Sequence, residues 1–297
     1  MLEPLGIIII GEPRTFFHDR VHRLFIEWLQ ALGKRYELYI VCVVNDTNIS
    51  YDKFIFLRDL CKRYSVVEFD RSLISLPSEA TVKMIHDEMK SQGVYEEYAK
   101  EVKDVKRIFT SFQSQKKQLE VGIGILLSYG VPIETYLKTR FDLLYNVKLI
   151  PYSNLHPLFP HSAEIEQIQM DLLQKAGFHS VESYLDFVKT QNLSDLRIPE
   201  NLWQINFGGP YYYSKDIFDN NDKLWCSNDF VIIGKADIFH KYCKSDLFID
   251  PHLWIETAKK TGHKHIVSHE SLFVLHMYSV GITPILLLNS YVIYIQR

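Results

Sequence analysis

Cysteine is scarce in this sequence and carries no metal-site spacing. Cys42, Cys61, Cys226 and Cys243 lie far apart in 297 residues, with no CxxC pair, which argues against a zinc-finger type of site. Cys42 stands in an apolar run and reads as a buried thiol, a usage that fits a reducing compartment. An excess of charge is missing too. The 33 basic and 36 acidic residues leave a net charge of −3, so there is no footprint for DNA or RNA and no nucleic-acid partner is expected. The pairs Lys116-Lys117 and Lys259-Lys260 read as solvated helix faces.

Long hydrophobic runs are also lacking. Leu5 to Ile10 is too short to span a bilayer and has neither a basic flank nor a small-residue cleavage site. Gly281 to Ile295 is interrupted by Pro284, Asn289 and Ser290. Neither segment reads as a membrane helix, and a soluble, cytoplasmic protein is expected. Internal repeats and low-complexity linkers are absent, so one compact domain over 1–297 is the simplest organisation. The histidines His252, His263, His265, His269 and His276 crowd the C-terminal part without HExxH spacing, which argues against zinc catalysis.

What the sequence does have is apolar patterning and aromatic bulk. Hydrophobic residues make up 47% of the chain, with 18 Tyr and 18 Phe. Such rings fill cores first and line sugar or base pockets second. Residues 5–10 form a continuous β-branched run typical of a strand buried on both faces. Val21, Leu24, Phe25, Trp28, Leu29 and Leu32 then recur at helical spacing, and Gly33 stops that helix. A second buried strand covers 37–44. Together these make a β-α-β unit, whose right-handed crossover sets the two strands parallel.

The alternation continues with a helix over 51–63, a strand over 65–69, charged helical sequence over 78–107, a stronger helix over 112–129 and a strand over 136–140. This pattern predicts an α/β fold with a Rossmann-type, mostly parallel sheet flanked by helices. The second half is a mixed α/β region. It has a loop over 150–162, two short helices over 164–190, and strands over 203–213 and 224–233. Helices over 235–243 and 251–261 follow, then a strand near 263–267 and a last helix from 269.

Ligands of such sheets bind beyond the carboxyl ends of the strands. Three polar signatures fall there: Gly11 to Thr15, Asn45-Asp46, and Arg140 to Asp142. A strand presenting Arg140 and Asp142 two residues apart points both the same way. The carboxylate suits a hard divalent cation that clamps a diphosphate, and the guanidinium suits the phosphate charge itself. A structural Arg–Asp contact accounts for the same three residues equally well. Gly11 permits close backbone approach, and a helix N-terminus following it favours anions.

The segment Tyr136 to Tyr145 (YLKTRFDLLY) resembles the strand of GT-A-type glycosyltransferases that carries the DxD motif, in a variant with Arg in place of the first Asp. That variant is found in polysaccharide- and glycan-building enzymes of bacteria and large DNA viruses. Three further segments resemble the same group in order and spacing: Gly11 to Phe16 after the first strand, Asn228 to Gly234 as an Asp-x-Phe-x-x-Gly segment, and His269-Glu270 as a late acidic motif. The resemblance implies a GT-A-like fold, with a nucleotide-sugar-binding half over 1–145 and an acceptor-side half over 146–297. It implies a nucleotide-sugar donor such as a UDP- or GDP-sugar, a glycan or glycoprotein acceptor, and Mn²⁺ or Mg²⁺.

On that resemblance Gly11, Arg14 and Thr15 meet the phosphates or ribose, and Asn45 or Asp46 reads base and ribose. Gln113, Gln115 and Lys116 open the helix before the Asp142 strand and touch the donor. Arg140 and Asp142 hold the diphosphate, with Asp142 and His269 as metal ligands. Asp229 is the acceptor base, since an attacking hydroxyl needs a carboxylate within hydrogen-bond reach, and Glu270 competes for that role. Two other readings remain. One is a non-catalytic glycan- or nucleotide-binding module, to which the incomplete DxD lends weight. The other is a sugar nucleotidyltransferase, against which the single glycine of Gly11 to Thr15 counts.

Overall fold

The computed structural model describes residues 2–13, 16–17, 19–45, 50–91, 101–141, 143–145, 174, 179, 223–227, 231–244, 272–273, 276–277, 279–286 and 292–294. The loop expected over 150–162 and the helices and strands expected over 164–190, 203–213, 251–261 and 263–267 fall outside these, apart from residues 174 and 179.

The first strand, β1 (Glu3–Gly11), has six consecutive buried residues at its centre. Helix α1 (Asp19–Gly33) returns across one face and leads into β2 (Tyr36–Val44). The next segment, where a helix is expected over 51–63, is a 3₁₀ helix over Tyr51–Asp59. Its buried residues Phe54 and Leu57 are three apart, one turn of the tighter helix. Strand β3 (Arg63–Glu68) follows, then α2 (Glu79–Ser91) and α3 (Val102–Ser128). The longer of these two helices thus starts ten residues before the sequence suggested. A reciprocal capping box between Glu101 and Asp104 defines its start.

Strand β4 (Thr135–Arg140) is followed by β5 (Leu143–Tyr145), β6 (Lys223–Ser227), β7 (Val231–Lys235), helix α4 (Ala236–Lys244), β8 (Thr283–Leu286) and β9 (Val292–Tyr294). Seven strands form one sheet in the order β3-β2-β1-β4-β7-β6-β8, and β5 and β9 pair separately. Within the seven, β7 alone is antiparallel to its neighbours. The expected α/β class with a mostly parallel, helix-flanked sheet is therefore what the chain adopts. Strands from the C-terminal half complete the sheet begun by the N-terminal half.

Alternation along β1 splits the core in two. Leu5, Ile7 and Ile9 face α1 and the 3₁₀ helix, in a cluster with Phe25, Trp28, Phe54, Leu137 and Phe141. Ile8 and Ile10 face α2, α3 and α4, in a cluster with Val82, Phe109, Leu119, Tyr136 and Phe239. Helix α3 packs tightly on the sheet at Gly122, where an added Cβ would come within 2.4 Å of Ile8 Cγ2. Its 27 residues span about 40 Å, against about 20 Å for the six residues of β4. Because α3 returns antiparallel to the strands, its first turns extend past their carboxyl ends.

Candidate functional site at the carboxyl ends of three strands

The chain leaves β1 toward β2 and β3 on one side, then returns through α2 and α3 to place β4 on the other side. The crevice between β1 and β4 is therefore a topological switch point, where open α/β sheets take their ligands. Register brings the expected residues to it. Gly11 pairs with Val44, the last residue of β2, and Ile10 pairs with Arg140, the last residue of β4. Asn45 donates its backbone N–H to the Gly11 carbonyl at 3.1 Å. Gly11, Asn45 and Arg140 thus share one edge.

Gly11 has φ of 111° and nothing within 4 Å of the place where a Cβ would stand. The positive φ explains the glycine, and the open space leaves its Cα side accessible. Its amide N–H is already taken by Gln118 Oε1 of α3 at 2.9 Å, while Gln118 Nε2 donates to Ser114 Oγ at 3.0 Å. An N–H can only donate, so this bond also fixes the orientation of the Gln118 amide. Asn45 Oδ1 is buried and has no hydrogen-bond partner among the described residues. Buried acceptors are rarely left so, and this one suits a hydroxyl or N–H donor of a ligand.

Beside Gly11, Glu12 pairs with Arg71 at 3.6 Å. The turn beyond is held by rings, since Phe16 lies edge-on to Phe141 with centroids 5.2 Å apart. Phe16 follows Thr15 in sequence and Phe141 precedes Asp142. The described ends of these two segments are therefore pinned together.

Three expectations need correction. The helix after Gly11 does not begin at the turn: α1 starts at Asp19, whose carboxylate occupies its first turn and answers the helix dipole internally. Gln113, Gln115 and Lys116 do not open a helix but lie in the middle of α3, which starts at Val102. Gln115 accepts a hydrogen bond from Lys138 Nζ at 3.1 Å. Lys116 is buried near Cys243 of α4. The strand alternation invoked for Arg140 and Asp142 also stops at Arg140, where β4 ends. Arg14, Thr15, Asp46, Asp142, Asp229, His269 and Glu270 lie outside the described residues.

Besides Gln118, sequence reading missed Lys138. It is 2% exposed at the centre of β4, between Ile8 of β1 and Ile232 of β7. The signal was present as a lysine inside a strand otherwise patterned for burial on both faces. By alternation Tyr136, Lys138 and Arg140 share the α3 side. Among the described residues no group of three or more His, Cys, Asp or Glu is arranged to hold a metal ion, and none of their helices is long and apolar enough to cross a membrane.

No protein-family model matches the chain, and no curated protein matches it. Among solved structures it is similar to one from Desulfovibrio desulfuricans G20 described as a "putative nucleotide-diphospho-sugar transferase", at TM-score 0.33 and 11% identity, over 97% of this chain and 80% of that one. A similarity of that size carries no weight for activity. The strand ends have to.

Proposed function

We propose that the chain is a glycosyltransferase that moves a sugar from a nucleotide-diphosphate donor to a hydroxyl of a glycan acceptor. The observation that carries this reading is the switch point between β1 and β4, where Gly11, Asn45 and Arg140 meet on one edge. The open side of Gly11 admits a ligand close to the backbone. Asn45 Oδ1 offers an acceptor to base or ribose, and Arg140 offers a guanidinium to phosphate. Stabilising the charge that builds on a departing diphosphate is the central demand of such a transfer.

In this reading Arg14 and Thr15 join Arg140 at the phosphates, and Asp46 joins Asn45 at the nucleoside. Asp229, or Glu270 in its place, accepts the proton of the acceptor hydroxyl as that oxygen attacks the anomeric carbon. The bond from that carbon to the diphosphate oxygen breaks, and nucleoside diphosphate leaves. A divalent ion, Mn²⁺ or Mg²⁺, would supply screening of the leaving group's charge when bound, and Asp142 and His269 are the residues that would hold it.

The test is hydrolysis of a panel of UDP- and GDP-sugars by the purified chain with Mn²⁺. Slow release of nucleoside diphosphate is the expected outcome. Pyrophosphate-dependent exchange would instead mark a nucleotidyltransferase. Binding without turnover would mark a non-catalytic module, the reading kept open by the Arg that replaces the first Asp of DxD.

A further inference from the structure

We propose that Lys138 is a phosphate-binding residue of this site, its ammonium held by Gln115 of α3 and directed at the diphosphate of the donor. The inference rests on the nucleotide-sugar reading above and adds a cation to it. Burying an ammonium costs several kcal/mol even after relaxation. Position 138 is one where the neighbouring strands place Ile8 and Ile232, so an apolar residue would satisfy packing alone. A lysine there, 2% exposed, is a costly choice for the core of a sheet.

Its direction supplies the reason. Along α3, Gly122 lies over Ile8 and Gln118 reaches Gly11 at the tip of β1. Gln115 is about one further turn toward the start of α3, and hence further toward the carboxyl edge. The backbone of Lys138 is level with Ile8, yet its Nζ meets Gln115. The side chain therefore leans along the strand to the ligand edge. There it joins Arg140, two residues on and on the same side of β4. Two cations on one side of β4 at the switch point match a group that carries charge on two phosphorus centres, and a charge-assisted contact of this kind is stronger than a neutral one. Gln115 offers its oxygen to the ammonium and so restricts a flexible side chain before the ligand arrives.

The experiment is calorimetric titration of the full chain with UDP and GDP, in EDTA and again in Mn²⁺. Wild type, Lys138→Met, Lys138→Arg and Gln115→Leu are compared, with thermal unfolding of each. Met keeps the unbranched stem and removes the charge. Lys138→Met should bind whichever diphosphate the wild type binds roughly tenfold to a hundredfold more weakly, with and without metal. Lys138→Arg should recover part of the affinity, and Gln115→Leu should lose about threefold to tenfold. Wild-type affinity in Lys138→Met would overturn the assignment of Lys138 and leave the donor reading standing. Absence of nucleoside diphosphate binding by the wild type would overturn the donor reading, and Lys138 with it. If Lys138→Met fails to fold, unchanged affinity in Gln115→Leu overturns the proposal.

Discussion

On the α1 side of the sheet, Phe16 is ringed by Phe17, His22, Phe25, Phe54, Phe56 and Phe141, with centroids 4.9 to 6.2 Å away. On the α3 side, comparable depth holds Gln113, Lys116, Gln118 and Lys138, with His86 and His276 on neighbouring helical segments. Thr139, whose alternation in β4 turns it toward α1, is the buried polar residue that departs from this division. Both sides exclude water, but they do so for different ends. Rings gain from area and from edge-to-face geometry, and need no partner from outside. Buried amides and ammonium groups cost free energy unless each finds a hydrogen bond, so a sheet assembled for stability alone would not collect them on one face. The α1 side anchors the fold, and the α3 side carries the buried polar groups, Gln118 among them, that reach the strand tips.

The sharpest way to break that contrast is to empty the centre of the aromatic side. Phe16→Ala should lower unfolding free energy by about 3 to 5 kcal/mol, measured by urea denaturation with the slope unchanged. Phe16 is 1% exposed and holds the turn after β1 against Phe141, so little of the cavity can collapse. A loss below about 1 kcal/mol would mean that the ring cluster is not what secures the turn.

The polar side should respond less in stability and more in ligand binding. Gln118→Ala removes the acceptor of the Gly11 N–H and should cost about 1 to 3 kcal/mol by the same denaturation. Because Gly11 sits at φ of 111°, its loosened backbone should also weaken nucleoside diphosphate affinity, which titration would detect. A variant as unstable as Phe16→Ala but with undiminished affinity would erase the distinction between the two sides.

Much of this frame was readable because periodicity reports burial directly. The β1-α1-β2 unit shows at once in the run Leu5 to Ile10 and in the spacing of Val21 to Leu32. The start of α3 was hidden because 78–107 reads as one charged helical stretch, in which Val105 is diluted by Lys103, Lys106 and Arg107 and nothing marks a new helix at Val102. The helix over 51–59 was legible but its 3₁₀ form was not, since both helix types bury apolar residues three apart. Gly11, Asn45 and Arg140 were legible as residues at strand ends. Gln118 and Lys138 were not, because their meaning comes from partners 107 and 23 residues away. One sequence reveals which face a residue occupies, but not what crosses from the neighbouring element to meet it.

The smallest expected effect compares one thiol on each side. Burial pushes the Cys42 thiol up on the α1 side, with the charge of Cys61 acting in the same direction. On the α3 side burial pushes the Cys243 thiol up to about 12, against the opposing pull of Lys116. The ordinary thiol value is 9.0, so below pH 9 folded and unfolded chains both keep the proton and this contribution is fully present. Between about 9 and 12 the unfolded chain releases the proton while the folded chain retains it, and stability falls by about 1.4 kcal/mol per pH unit from this one group. Cys243→Ala should therefore show a shallower decline in stability from pH 9.5 to 10.5 than wild type, whatever its offset at pH 8. Cys42→Ala should flatten the decline as well. If Cys42→Ala flattens it and Cys243→Ala does not, Lys116 stabilises the thiolate against burial, and the α3 side is more strongly cationic than its packing suggests. That result would strengthen the assignment of this side to an anionic ligand. Equal flattening would confine the cationic influence to Lys138 and Arg140 at the strand tips.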